Sequence, residues 1–115
     1  MNHHKSVRKF GRVKKQRKAL LNSLARSLVL HGKIQTTEAK AKELRPNIEK
    51  MVTKAKTPTI AIKRSLSATI GKEASAKLLD QTKDNFMKRN GGYTRITKVL
   101  STRKDAGKVA IIEFV

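Results

Sequence analysis

The first sixteen positions of the chain are almost all polar or charged. Val7, Phe10 and Val13 are isolated apolar residues there, so no face of a helix or strand can be assembled from them. Gly11 weakens any helix in this stretch, and the repulsion between neighbouring cations opposes compact structure. The pattern predicts an extended arm over residues 1–16.

A helical pattern begins at Arg17. The apolar residues that follow have the i, i+3, i+4, i+7 spacing of one helix face: Leu21, Leu24, Ala25 and Leu28. Gly32 comes directly after this pattern and suits the left-handed conformation that ends many helices. Residues 33–36 then alternate as a short strand does.

A second helix is predicted to start at Thr37, whose hydroxyl can cap it, with Glu38 in the positively charged first turn. Its apolar stripe spans about four turns: Ala41, Leu44, Ile48, Met51, Val52 and Ala55. Pro46 interrupts the hydrogen bonding within this stretch, and the strength of the stripe predicts a kink there rather than two separate helices.

A third helix is predicted from Thr57 as cap and Pro58 as first residue, and it ends at Gly71. Its stripe comprises Ile62, Leu66, Thr69 and Ile70. A shorter fourth helix follows over residues 73–81. Residues 82–92 are polar and end in Asn-Gly-Gly, which predicts a loop.

The spacing of apolar residues changes from helical to strand-like in the last part of the chain. Residues 93–100 and 108–115 are rich in Tyr, Thr, Ile and Val and predict two strands. The final segment is apolar on both faces and therefore predicts an interior strand. Residues 101–107 predict a long basic hairpin loop. The order α-β-α-α-α-β-β predicts a two-layer α+β domain over residues 17–115, in which about four helices pack on one face of a three-stranded sheet.

The charge balance is the strongest functional signal in the composition. Among 115 residues there are 28 Lys and Arg against 8 Asp and Glu, a formal net charge of +20. Such a charge destabilises a compact monomer unless a polyanion neutralises it. Nucleic acid is the first candidate for that polyanion, and an anionic membrane surface is the second.

The residues of enzymes and of metal or cofactor sites are missing or scattered. Without cysteine the chain has no disulfide, thiol nucleophile or cysteine-bound metal. His3 and His4 lack a third ligand nearby in sequence, and the acids Glu38, Glu43 and Glu49 are interpreted as solvated helix charges. We therefore predict no catalysis, no cofactor and no small-molecule substrate.

Membrane insertion and secretion are not predicted either. No segment approaches the ~18 apolar residues of a membrane span. The basic start is not followed by the apolar stretch of a secretory signal peptide, since residues 20–30 are interrupted by polar side chains.

The cations fall into two groups that predict nucleic-acid contacts. The first is free of acids, because Glu38 is the first acid of the chain: Lys5, Arg8, Lys9, Arg12, Lys14, Lys15, Arg17 and Lys18. The second lies beside the predicted strands and their loops: Lys88, Arg89, Arg95, Lys98, Arg103, Lys104 and Lys108. Of this group, Arg89, Arg95, Arg103 and Lys104 are the predicted RNA-binding residues. Aromatic residues are only 3% of the chain, so binding through phosphates and RNA shape is predicted, with little base stacking. Phe10 and Tyr93 can each stack on a base, and Tyr93 can alternatively pack against the sheet.

Four strings resemble the bacterial large-subunit ribosomal proteins of the L17 family. They are RKALL at 17–21, KIQTTEAKAKELRP at 33–46, RNGGYTRI at 89–96 and AIIE at 110–113. The basic start, with His3 among its residues, also matches that family. The resemblance implies a structural constituent of the 50S subunit that binds 23S rRNA, lies near the peptide exit tunnel and contacts neighbouring ribosomal proteins. It adds His3 and Asn90 to the RNA-binding candidates and places the protein in the cytoplasm or in an organelle of bacterial type.

Two positions depart from the family pattern, and two rival functions stay open. Asn2 stands where a basic residue is common in the family, and Gln16 stands where His is common. The first rival is a nucleoid-type DNA-binding protein, which would also be small and basic. The second is an organellar or membrane-surface protein whose acid-poor start is a transit peptide, removed before about residue 20.

Overall fold

The computed structural model describes residues 10–99 and 108–115, and for residues 10–12 it describes the backbone alone. The elements are α1 (Phe10–His31), β1 (Lys33–Thr37), α2 (Glu38–Ala55), α3 (Ile60–Ile70), α4 (Lys72–Gln81), a π-helical segment (Thr82–Phe86), β2 (Thr94–Val99) and β3 (Val109–Phe114). Four α-helices and a three-stranded sheet in this order confirm the predicted α+β fold.

The strands form one antiparallel sheet in the order β1-β3-β2. Ile34, Ile112 and Ile96 lie side by side across the three strands, and all three are part of the core or pack against it. The place of β3 between β1 and β2 confirms the predicted interior strand. Ala110 and Ile112 of β3 are buried and its other residues are half-buried, so none of them needs to be polar.

The helices contribute their apolar stripes to a single hydrophobic core. From α2 come Ala41, Leu44, Ile48, Val52 and Ala55, each at most 4% exposed. Residues of the other helices and of β3 complete the cluster: Ala25, Leu28, Val29, Leu66, Ile70, Ala74, Leu78, Ala110 and Ile112. Within the described ranges, no helix has both the length and the apolar character that crossing a membrane requires.

Helix α2 begins and continues as its sequence predicts. The Thr37 hydroxyl accepts a hydrogen bond from the Lys40 N–H at 3.2 Å, which is the predicted cap. Pro46 lies inside a helix that runs unbroken from Glu38 to Ala55. The proline does not split the helix, because the apolar residues on both sides of it are held in the same core.

Helix α1 begins at Phe10 rather than at Arg17, so the prediction of an extended chain is wrong for residues 10–16. Lys, Arg and Gln are good helix formers, and an isolated Gly such as Gly11 costs only about 1 kcal/mol in a helix. A preformed helix extends easily, because each added residue gains a hydrogen bond without a new nucleation step. Residues 1–9 of the predicted arm lie outside the described part of the chain.

Helix α3 begins at Ile60, with Thr59 rather than Thr57 as its cap. The Thr59 hydroxyl accepts a hydrogen bond from the Ile62 N–H at 3.2 Å. Pro58 biases Thr57 toward extended conformations, and Thr59 is the next residue with a capping hydroxyl. The proline therefore precedes this helix instead of opening it.

Residues 82–86 form a π-helical continuation of α4 and not the start of a loop. Leu78, Thr82 and Phe86 are spaced by four residues, and all three are buried. The Phe86 ring meets the Tyr93 ring edge to face, with centroids 5.3 Å apart, and lies 5.8 Å from the Phe114 ring. A single aromatic residue in a polar stretch is enough to extend the helical chain onto the core.

A carboxylate on α2 fixes the start of β2. One oxygen of Glu49 accepts a hydrogen bond from the Gly92 N–H at 3.1 Å. The other accepts bonds from the Thr94 N–H at 3.1 Å and from the Thr94 hydroxyl at 3.0 Å. Gly92 has a φ of 62°, which suits a glycine in the tight turn that presents these donors. Glu49 is thus a structural residue, and its interpretation as a solvated charge is wrong.

We predict that Glu49→Ala lowers the free energy of unfolding by about 3 kcal/mol, because hydrogen bonds to a charged group contribute more than neutral ones and the buried Thr94 loses both of its bonds to Glu49. Urea unfolding followed by circular dichroism measures the change. Glu73→Ala is the matched control, since Glu73 is an exposed acid on α4, and we expect a change of about 1 kcal/mol or less there. Equal effects of the two substitutions would contradict the role of Glu49.

Candidate nucleic-acid interface

The first half of α1 presents cations on an exposed helix. Every described side chain from residue 13 to residue 20 is exposed, in contrast to the second half of the helix, which enters the core. Four predicted RNA-binding residues lie in this exposed half: Lys14, Lys15, Arg17 and Lys18. The side chains of the other predicted arm residues lie outside the described part: His3, Lys5, Arg8, Lys9, Phe10 and Arg12.

A groove of about 400 Å³ separates the exposed half of α1 from α2 and α3. From α1, three cations line it: Lys14, Arg17 and Lys18. From α2, Lys50 and Lys54 line it as well. Lys15 lies one position away on the helix and is not part of the lining. The fold thus joins cations from two helices around one depression.

Sequence reasoning missed the contribution of α2 to this groove. Asn47, Lys50, Met51 and Lys54 line it at i, i+3, i+4 and i+7, which places them on one stripe of the helix. That spacing is visible in the sequence. The position of the stripe opposite α1 is not, because it depends on how the two helices pack in the core.

Arg17 is already paired within the protein. Its guanidinium donates from two nitrogens to the Glu43 carboxylate on α2, and the Nε–Oε2 distance is 3.2 Å. Side-chain exposures of 53% for Arg17 and 40% for Glu43 place this ion pair at the surface. The pair bridges α1 to α2 and reduces the net charge that Arg17 offers to a phosphate.

The second predicted group surrounds the turn before β2. Arg89, Asn90 and Arg95 are exposed. The Arg89 guanidinium donates to the Gly92 carbonyl at 3.3 Å, and Arg95 pairs with Glu113 of the neighbouring strand at 3.3 Å. Arg103 and Lys104 lie outside the described residues. None of the described members of this group lines the groove beside α1.

Tyr93 cannot stack on a base in this structure, which corrects its assignment as an RNA-binding residue. The side chain is 1% exposed and packs on Phe86. Its hydroxyl donates to the Arg89 carbonyl at 3.1 Å, and the Lys56 ammonium lies 4.9 Å from the ring centroid. The alternative interpretation, packing against the sheet, is the one that the burial supports.

Glu38 is a buried acid surrounded by lysines, so its interpretation as a solvated charge is also wrong. It is 7% exposed and contacts Lys42 at 3.0 Å and Lys98 of β2 at 3.6 Å. The hydrogen bond from Lys42 lowers the pKa of this carboxyl below its ordinary value, aided by the charges of Lys42, Lys98 and Lys108 and opposed by burial.

The geometry supports the binding of a polyanion. The described residues contain no group of three or more His, Cys, Asp or Glu side chains placed to hold a metal ion. They present instead exposed cations from α1, α2 and the turn before β2. The fold and these surfaces define a small basic α+β protein whose charge suits nucleic acid.

Comparison with known proteins identifies the family within this class. The family described as ribosomal protein L17 matches residues 20–115. A large ribosomal subunit protein bL17 from Hydrogenobaculum sp. is 48% identical over 118 residues, which cover 100% of this chain and 99% of that protein. The protein of the same name from Persephonella marina is 47% identical over 118 residues, with 100% and 95% covered. That from Chlorobium chlorochromatii is 47% identical over 116 residues, with 100% and 75% covered.

The chain therefore belongs to the bL17 family of ribosomal proteins. This confirms the resemblance seen in its sequence strings. Because the family consists of ribosomal structural proteins, the prediction that the chain is not an enzyme is confirmed too.

We predict that Glu38→Gln destabilises the protein at neutral pH and that the difference from the unchanged protein shrinks in acid. A carboxyl whose pKa is lowered by folding adds stability above its unfolded pKa, and this contribution is lost as the pH falls through the folded pKa. The ordinary value is 4.5, so the difference should narrow as the pH falls below that value. Urea unfolding at a series of pH values from neutral to acid measures it.

Glu73→Gln serves as the control for this titration, because Glu73 is an exposed acid on α4. A destabilisation by Glu38→Gln that stayed constant across the whole acid range would contradict the role given to the Glu38 charge.

Proposed function

We propose that this chain is a structural constituent of the large ribosomal subunit that binds 23S rRNA, mainly through phosphate contacts. The observation that carries the proposal is the acid-free run of cations that ends on the exposed half of α1. A solvated surface helix normally carries both acidic and basic residues. Helix α1 contains no acid, and the first acid of the chain is Glu38 at the start of α2. The relatives are named as large ribosomal subunit proteins, which supports the same partner.

The proposed mechanism is electrostatic. Ammonium and guanidinium groups pair with phosphates and release condensed counterions, which supplies sequence-independent affinity. Residues 1–16 are proposed as the main RNA-binding arm and residues 17–115 as the folded body. Since α1 is continuous from Phe10, the last cations of this arm lie on a helix that is anchored in the core. The part of the arm from Phe10 onward therefore belongs to a helix whose later turns pack in the core of the body.

The second proposed RNA contact is the basic region around the turn before β2. Arg89, Asn90 and Arg95 are exposed there, and Arg103 and Lys104 belong to the same proposal. Neighbouring ribosomal proteins are proposed as the remaining partners, with a position near the peptide exit tunnel. The ribosome of the cytoplasm, or of an organelle of bacterial type, is the proposed location.

Sedimentation tests the assignment directly. A lysate is run through a sucrose gradient at moderate salt, and the protein is expected to travel with the large subunit. A chain that stayed at the top of the gradient would overturn the proposal. Equal or tighter binding of the purified protein to duplex DNA than to folded rRNA, with no ribosomal association, would indicate the nucleoid-type function instead.

We predict that replacing Lys14, Lys15 and Lys18 together by Ala reduces the salt dependence of binding to 23S rRNA. Each lost phosphate contact lowers the slope of log K against log salt by roughly 0.7–0.9, so the slope should become shallower by roughly 2–3. Filter binding at four or more salt concentrations measures it. The unchanged protein should show a slope of roughly 6–7 if about eight phosphates are contacted.

The matched control replaces three lysines on other surfaces, Lys40, Lys72 and Lys83, which are exposed on α2, α4 and the π-helical segment. The total charge lost is the same in both variants. Identical changes of slope would show that only the net charge matters and would contradict a specific contact by the arm.

A further inference from the structure

We propose that the groove between α1, α2 and α3 binds a single unstacked nucleotide of RNA. Its phosphate would contact the lysines at the rim, and its base would lie over the apolar floor. The inference rests on the proposed function and narrows it, because it names the kind of RNA structure that this surface recognises. Neither the arm nor the basic turn before β2 requires an unpaired base.

Two pairs of lysines line the rim of the groove, and within each pair the two ammonium groups repel each other. Lys14 and Lys18 are spaced i, i+4 on α1, and Lys50 and Lys54 are spaced i, i+4 on α2. Like charges at this spacing destabilise a helix, and here two such pairs line the same groove. Among the described residues that line it, none is acidic. An anion in the groove would remove this repulsion, as a phosphate group does.

The groove between the lysines is largely apolar, although the hydroxyl residues Ser65 and Thr69 of α3 line it too. Leu66 of α3 is 2% exposed, and Leu21 and Met51 are half-buried beside it. A phosphate alone gains nothing from such a floor, whereas the face of a base buries apolar surface against it. Bases in a duplex are stacked and cannot reach a protein groove, but a bulged or looped-out base can. The polarisable Met51 sulfur is a suitable contact for an aromatic ring.

Two carboxamides stand between the charged rim and the apolar floor. Asn22 of α1 and Asn47 of α2 are half-buried and line the groove. A carboxamide offers two N–H donors and one acceptor, which suits the edge of a base. The volume of about 400 Å³ lies within the roughly 300–1,000 Å³ of small-molecule sites and suits one nucleotide better than a length of duplex.

The binding experiment compares two RNA hairpins of the same stem, one with a single-nucleotide bulge and one without. The full-length protein is expected to bind the bulged hairpin on the order of fivefold tighter, because only the bulged base can enter the groove. Met51→Gln and Asn47→Ala should each abolish this preference.

Matched controls are available for both substitutions. Met87→Gln and Asn85→Ala change the same residue types at exposed positions outside the groove and should keep the preference. Replacing Lys50 and Lys54 by Ala should weaken both hairpins and make the salt slope shallower by roughly 1–2. A preference for the bulge that survives Met51→Gln and Asn47→Ala would overturn the proposal.

A second measurement uses the unchanged protein and so does not depend on the folding of a variant. The chain has three methionines, and their labelled methyl groups give separate NMR signals. Addition of the bulged hairpin should shift the Met51 methyl signal further than the plain hairpin or inorganic phosphate does, because only a base would contact Met51 itself. A Met51 signal that stays in place with the bulged hairpin, or that moves with an acidic peptide and not with RNA, would overturn the inference.

These outcomes distinguish failure of the groove proposal from failure of the proposed function. Equal, salt-sensitive binding of both hairpins would remove the groove proposal and leave rRNA binding by the arm intact. Loss of ribosomal sedimentation would remove the proposed function itself.

Discussion

The structure depends on α2, whose three carboxylates connect it to two other elements, α1 and β2. Glu49 accepts three hydrogen bonds from the start of β2, Glu43 pairs with Arg17 of α1, and Glu38 contacts Lys98 of β2. The opposite side of the same helix is the apolar stripe at the centre of the core. In a chain of charge +20, Glu38 and Glu43 also neutralise cationic neighbours, whereas Glu49 accepts hydrogen bonds from neutral donors.

This use of the acids sets apart the cations on the exposed half of α1. Three of the eight acids of the chain belong to α2, and each is engaged by a residue of another element. On the exposed half of α1, only Arg17 has an acidic partner among the described residues. The sequence therefore separates two roles of charge. Carboxylates of α2 join elements of the fold, and the lysines on the first half of α1 are exposed to solvent.

The fold was largely predictable, and the side chains whose roles were misjudged share one cause. The regular stripes of α1 and α2, the cap at Thr37 and the central position of β3 follow from residues close together in sequence. Glu38, Glu49, Phe86 and Tyr93 were misjudged because their roles come from contacts between distant segments: a carboxylate looks the same in sequence whether it faces water or backbone N–H groups. The groove was missed for the same reason, since it exists only where α1, α2 and α3 meet.

The placement of the exposed half of α1 connects the fold to the partner. Beyond the core, a surface ion pair between Arg17 and Glu43 holds this half against α2, and such pairs contribute only about 0–1 kcal/mol. The lysines on the two walls of the groove oppose that contact. A phosphate bound in the groove as proposed would reverse the sign of this contribution, because each ammonium group would then face an anion. Anchoring of α1 and the proposed binding of RNA would then be coupled, since an anion that neutralises the groove would also strengthen the contact between α1 and α2.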